Sequence, residues 1–323
     1  MSTVAHDETI AGAPASRLAS GVLLAAISAL TFGMSGGFAS SLFETGWSPG
    51  ATALVRSAIG AVVALPFGLR ALDGRWHLLR ANLGLLVAYG ILAVTGAQFC
   101  YFMAVERMEV GPALLIEYTA PATVVLWLWL RHGQRPGVIT LVGAALAAAG
   151  LVLVLNLTGG TTLNLSGVAW SLLAMIGAAT YFVVNADEAS GLPPVTLAAG
   201  GLVLGTLSMV VLAVVGVLPM AASTDQVVLR GHEFPWWVPV LALGVITSGL
   251  AYLTGVAAGR LLGARLGAFI ALFEVVSGVF FAWLFVAELP SAIQLVGGLL
   301  ILAGVIAVKA GEGTADDPVL PPS

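Results

Sequence analysis

Three ionisable residues lie inside apolar runs: Arg56 in ALVRSAIG, Glu117 in PALLIEYTAP and Glu274 in LFEVVSG. A charge near the centre of a bilayer costs about 2.5–3.5 kcal/mol on insertion scales, so such a residue faces a cavity or a partner. Arg56 stands about five residues, and Glu117 about seven, into spans that start on the same side, which at ~1.5 Å per residue puts both about 8–10 Å in. An ion pair or a shared polar cavity is therefore geometrically allowed. Glu274 starts from the opposite side. The chemistry expected is that of a carboxyl charged and uncharged in turn, with Glu117 as first candidate and Glu274 as second, each exchanging a substrate or a proton. The plainer readings are that Arg56 snorkels to the interface or locks Glu117 structurally, and that Glu117 is a protonated carboxyl bonded to a backbone carbonyl. Gln98 and Tyr101, spaced i, i+3, share a helix face, and Tyr118 sets a phenol beside Glu117. Trp170, Tyr181, Asn185 and Tyr252 add polar tips on neighbouring spans, Asn185 with a cap as its plainer role. Trp127, Trp129, Trp236 and Trp237 read as interface anchors. Glu106, Arg107 and Glu109 read as a solvated helix end.

The elements that must position these residues follow from composition. Of 323 residues, 59% are hydrophobic and 9% charged, with a mean hydropathy of +1.04. Soluble domains carry roughly a quarter charged residues, so the chain reads as an integral membrane protein. Spans of ~20 apolar residues occur about ten times: 18–42, 51–69, 83–105, 110–130, 138–155, 166–184, 195–218, 236–258, 266–285 and 293–308. Residues 1–17 and 311–323 read as disordered cytoplasmic tails. With both termini in the cytoplasm, nine Lys/Arg lie inside and two, Arg107 and Arg230, outside, as the positive-inside rule requires.

Other classes of function find little support. The net charge of −4 is small and spread out, which gives no reason to expect a nucleic-acid partner. Cys100 stands alone, so no internal disulfide forms, and no Cys/His set has metal-ligand spacing. His6, His77, His132 and His232 lie in tails or links, and no nucleophile elbow, Walker loop, HExxH or CxxC is present. Neither an enzyme nor a resident cofactor is expected. A channel would need a continuous polar ring, which three scattered charges do not supply.

A repeat is present. LVGAALAAAGLVLV (141–154) and LVGGLLILAGVIAV (295–308) agree at seven of fourteen positions, with a shift of 154 residues from Leu141 to Leu295. The same shift lays Arg135-Pro136 on Leu289-Pro290 and Gln134 on Glu288, whereas GWSPGATAL and GLPPVTLAA align only after a gap. Two halves of about five helices, 18–157 and 164–310, account for this. Five is odd, so the second half enters the membrane inverted, an arrangement suited to alternating access with the site near the midplane. The glycines and alanines of the repeated stretch read as packing surfaces, between the halves or between two protomers of a homodimer.

Ten spans, a repeated half closing on a short link (HGQRP, VAELP) and a glycine-rich final helix resemble the EamA branch of the drug/metabolite transporter superfamily over nearly the whole chain. Within it, YFMAVERMEVGPALL and IEYTAP are similar to the matching stretch of bacterial threonine/homoserine-type exporters. The resemblance implies a multi-pass protein of a bacterial inner membrane exporting amino acids or related small metabolites, with an importer or facilitator of the same topology as the alternative. Gln134 against Glu288 is a departure between the halves, so an acidic role at that link is not shared by both.

Overall fold

The computed structural model describes residues 13–120, 137–154, 164–186, 190–258, 261–262 and 273–312. The helices are α1 (Ala13–Phe43), α2 (Pro49–Leu72), the short α3 (Trp76–Ala81), α4 (Leu83–Val105), α5 (Val110–Glu117), α6 (Val138–Val154), α7 (Leu165–Ala186), α8 (Pro194–Val214), α9 (Trp237–Ala258), α10 (Phe273–Val286) and α11 (Ala292–Glu312). Five carry segments long and apolar enough to cross a membrane: Leu18–Phe43, Pro49–Leu72, Leu83–Val105, Pro194–Val214 and Trp237–Ala258. Val138–Val154, Leu165–Tyr181, Phe273–Val286 and Ala292–Val308 are shorter apolar helices. The protein is an all-α membrane protein, with one small hairpin among the described residues, β1 (Val227–Leu229) paired antiparallel with β2 (His232–Phe234).

Two features depart from plain α-helix. The helix expected over 110–130 is interrupted: α5 stops at Glu117, and Tyr118 and Thr119 form a turn in which the Thr119 N–H bonds the Ile116 carbonyl at 3.1 Å. Pro121 lacks the N–H that would bond the Glu117 carbonyl, and Thr119 Oγ1 also turns onto Ile116 O, at 2.7 Å, so the ladder loosens at the carboxylate. Residues 121–136 lie outside the described set. Secondly, α4 and α9 contain π-helical segments, Tyr89–Gly96 and Ala242–Leu250. π-Helical backbone is rare and gathers at functional sites.

The packing is close because glycine lines the contacts. The most extensive contact joins α6 and α11, and α2 on α8, α1 on α10 and α4 on α7 follow. A Cβ added at Gly150 would stand 2.5 Å from Gly297 O, one at Gly297 2.7 Å from Gly150 O, and one at Gly143 2.6 Å from Gly304 O. Backbone therefore meets backbone along α6 and α11, the small-residue packing that lipid-embedded helices depend on.

Links 44–48, 106–109, 215–236 and 287–291 share one face of the bundle. Ser48 N–H donates to Ala221 O at 2.9 Å, Trp47 Nε1 to Ser223 O at 2.9 Å, and Arg230 N to Phe285 O at 3.0 Å. Val227 and Leu229 bury their side chains with Trp47 and Leu218 in the main core cluster. The hairpin is thus folded down onto the helix ends. On the opposite face, Asn82 Nδ2 donates to Ser190 O at 3.0 Å.

Replacing Gly150 by Val is expected to lower the melting temperature in detergent, because the neighbour it meets is backbone that cannot rotate aside; overpacking of this kind costs about 1–3 kcal/mol. Gly84→Ala, where nothing lies within 4 Å, should not lower it. Equal losses at the two positions would contradict the packing described.

Candidate functional site

Arg56 projects from the middle of α2 and is 4% exposed. Its partner is not Glu117. Nε donates to Thr247 Oγ1 at 3.1 Å and Nη2 to the Thr247 carbonyl at 2.7 Å, inside the π-helical segment of α9. The guanidinium carbon lies 5.9 Å from the Phe32 ring centroid and 5.5 Å from that of Phe102, within cation–π range. Among the described residues the single ion pair within 4 Å is Glu106 with Arg107, so of the two arrangements that equal depth allowed, the ion pair of Arg56 with Glu117 does not form. The physical reason is rotational: equal depth leaves the angle around the helix axis unset, and α9 packed on α2 presents Thr247, whose hydroxyl and carbonyl accept two of the buried guanidinium's N–H groups.

The carboxylates nonetheless stand within reach of its field. Arg56 interacts electrostatically with Tyr252, Glu274, Tyr101 and Glu117, and Glu117 with Glu274. Glu117 ends α5 at the interruption, is partly accessible, and accepts no hydrogen bond from any described residue. Glu274, the second residue of α10, is also partly accessible and accepts a short hydrogen bond from Tyr118 Oη. That bond joins the two carboxylate-bearing segments, since Tyr118 follows Glu117 directly.

A second polar layer adjoins this one. Ser57 Oγ donates to Gln98 Oε1 at 3.0 Å, and Gln98 Nε2 donates to Tyr252 Oη at 3.2 Å. The Tyr252 ring meets Phe32 edge-on at 5.1 Å and Tyr181 at 6.0 Å, and Tyr181 stacks on Tyr89 at 6.1 Å. Tyr101 is 5% exposed, and its hydroxyl, like that of Ser248, has no hydrogen-bond partner. Buried hydroxyls left unpaired are uncommon and ask for a reason. Trp170 belongs elsewhere: it packs edge-on against Phe99 at 5.8 Å at the margin of the core. The side chain of Asn185, with Trp127, Trp129 and Gln134, lies outside the described residues.

Eight of the nine candidate side chains thus gather around α2, α4, α5, α9 and α10, with Tyr181 reaching in from α7. Two contributors were missed, Thr247 and Ser57. Ser57 follows Arg56 and could have been flagged on that ground. Thr247 lies 191 residues from Arg56, so no local signal marks it. No group of three His, Cys, Asp or Glu that could hold a metal ion occurs among the described residues.

At the hairpin-bearing face, Glu288 caps α5 by accepting from Val110 N–H at 3.0 Å. Burial raises its carboxyl above the usual range; the Val110 bond opposes the rise, while Glu109 and Glu44 add to it. Gln294 Nε2 donates to Glu109 Oε2 at 3.3 Å beside it.

Comparison with known proteins gives consistent matches. The model of the EamA-like transporter family matches residues 19–156 and again 165–309. The threonine/homoserine exporter RhtA of Salmonella typhimurium is 27% identical over 297 residues, 90% of each chain, and that of Escherichia coli K12 26% over the same length and shares. The uncharacterized transporter YdfC of Bacillus subtilis is 26% identical over 270 residues, 80% of this chain and 81% of its own. A solved crystal structure at 21% identity aligns over 93% of this chain and 99% of its own with a TM-score of 0.63, which speaks to the fold alone.

The clamp on Thr247 predicts a graded response. Thr247→Val removes one acceptor and should destabilise by about 1–2 kcal/mol. Arg56→Ala strips two carboxylates of their counter-charge and should cost about 3–5 kcal/mol. Adding Glu117→Gln to Arg56→Ala should recover part of the folded yield in size-exclusion profiles. If Arg56→Ala alone is as stable as wild type, the guanidinium is not the counter-charge of this site.

Proposed function

The chain belongs to the EamA-like transporter family, and on that premise we propose that it exports amino acids or related small metabolites across a bacterial inner membrane by alternating access. The observation that carries the cargo class is the pair of named threonine/homoserine exporters matched over 90% of both chains. The mechanism is read from the geometry. Glu117 and Glu274 are accessible carboxylates inside a helix bundle, placed where helices from both parts of the chain converge. A carboxylate in such a place is costly unless it is used, and the use that suits a transporter is exchange of cargo against a proton. Tyr118, Gln98, Tyr101, Tyr252 and Tyr181 complete the lining, and Arg56 supplies the positive field.

Two inverted repeats, 18–157 and 164–310, are part of the proposal, and reciprocal contacts support them. Under the shift of 154, Gly143 corresponds to Gly297 and Gly150 to Gly304. Gly143 meets Gly304 while Gly297 meets Gly150, so each contact is the image of the other, as a two-fold axis demands. Gln98 and Tyr252 are hydrogen-bonded partners 154 residues apart, which sets them astride that axis. The π-helical segments occupy the same register in α4 and α9. Contacts α2 with α9 and α8 with α4 are images as well, with Ile59 filling the space at Gly244 and Leu204 at Gly90. The gap the alignment needs falls in the link that forms the hairpin.

The distribution of nine Lys/Arg against two orients the chain with both termini in the cytoplasm and the hairpin outside. A facilitator of the same topology is the alternative, favoured if movement of cargo is indifferent to a proton gradient.

Purified protein in liposomes should move labelled threonine or homoserine without altering it, faster under an imposed pH gradient. Glu117→Gln keeps size and hydrogen bonding while removing the charge change, so it should fold normally and lose the gradient dependence. A mutant with the wild-type rate and pH profile would reduce Glu117 to a structural polar group. In cells, a reporter fused after Lys309 should be cytoplasmic and one inserted near Gly231 periplasmic; the same side for both would sink the inverted arrangement.

A further inference from the structure

One guanidinium stands within the field of two carboxyl groups, Glu117 and Glu274. These groups differ in availability. The Arg56 guanidinium already donates from Nε and Nη2 to Thr247, and the Phe32 and Phe102 rings lie against it at 5.9 and 5.5 Å. At 4% exposure it acts on the site through its field and offers little contact surface. Glu117 is the reverse: partly accessible, and without a hydrogen-bond donor among the described residues. Glu274 has one donor, the Tyr118 hydroxyl, and is partly accessible too.

The surroundings are aromatic. Tyr252 interacts electrostatically with both carboxylates, and the chain of rings runs on through Tyr181 to Tyr89. An accessible carboxylate with free acceptor lone pairs among electron-rich ring faces is complementary to an ammonium group. A cargo carboxylate would meet the opposite conditions. It would be brought beside two carboxyl groups, and the one cation there, 4% exposed, already gives two of its five N–H groups to Thr247.

We infer that the Glu117–Glu274 site recognises its cargo by the ammonium group and leaves the cargo carboxylate unread, so that the class it takes is small primary amines, of which amino acids are one kind. The inference rests on the transporter reading for the location of the cargo site and adds to it what that site selects.

The test is binding to the full chain in nanodiscs, measured by calorimetry with threonine, threonine amide, the amino alcohol threoninol and N-acetylthreonine. The amide and the amino alcohol, which keep the ammonium and lack the carboxylate, should bind within about threefold of threonine or more tightly, while N-acetylthreonine should be weaker by about tenfold or more, as expected for loss of a charge-assisted contact. Glu117→Gln should weaken the amide and the amino alcohol by about tenfold as well, with the variant's melting temperature as the control for folding. The inference is overturned if N-acetylthreonine binds as well as threonine, if threonine binds and its amide does not, or if none of the amines binds. Failure of the transporter reading has a different signature: amines bind in nanodiscs while labelled threonine stays put in liposomes.

Discussion

A guanidinium held out of water in an apolar bundle is the constraint around which this protein is organised. Its desolvation has to be offset by directed acceptors, and Thr247 provides a hydroxyl and a carbonyl together. That requirement joins α2 to the π-helical segment of α9 across 191 residues of sequence. It also decides where the carboxylates can be. Glu117 and Glu274 sit within the field of Arg56 without touching it, so their charge is partly offset while their oxygens stay available.

The same economy of contacts shapes the framework. In lipid, helices gain no hydrophobic drive from meeting one another, so association depends on close packing. Glycines let the α6 and α11 backbones touch at two levels, Gly90 and Gly205 do the same for α4 and α8, and Gly60 and Gly244 make room for the Ser248 and Ile59 side chains between α2 and α9. The contacts come in reciprocal pairs, and the proposed repeat is a statement about that reciprocity. Chemistry breaks it. Arg56 has no cationic counterpart, Glu117 and Glu274 are not register partners, and Gln98 corresponds to Tyr252. The reciprocity of the glycine contacts therefore does not extend to the polar residues.

The two faces of the bundle differ for a similar reason. Link 73–82 carries only the short α3, whereas link 215–236 carries a hairpin whose buried residues join the core and whose backbone ties Ser48 and Trp47 to the end of α10. The hairpin therefore braces the ends of helices from both parts of the chain on one side. Glu288 does likewise at the start of α5.

Composition and periodicity alone determined that the chain is a bundle of apolar helices, where most of those helices lie, and which glycine-rich stretches repeat, because each property is local and summed over ~20 residues at a time. The cost of charge in lipid likewise singled out Arg56, Glu117 and Glu274 without any structure. What tertiary structure decided is who meets whom. Depth arithmetic brought Arg56 and Glu117 to one level, yet a depth leaves the angle around the helix axis unset, and the packing of α9 against α2 turned Arg56 to Thr247. The Tyr118–Glu274 bond, the removal of Trp170 to the margin of the core and the π-helical segments are of the same kind. Each depends on the rotation and separation of helices far apart in sequence, which no window of the chain contains.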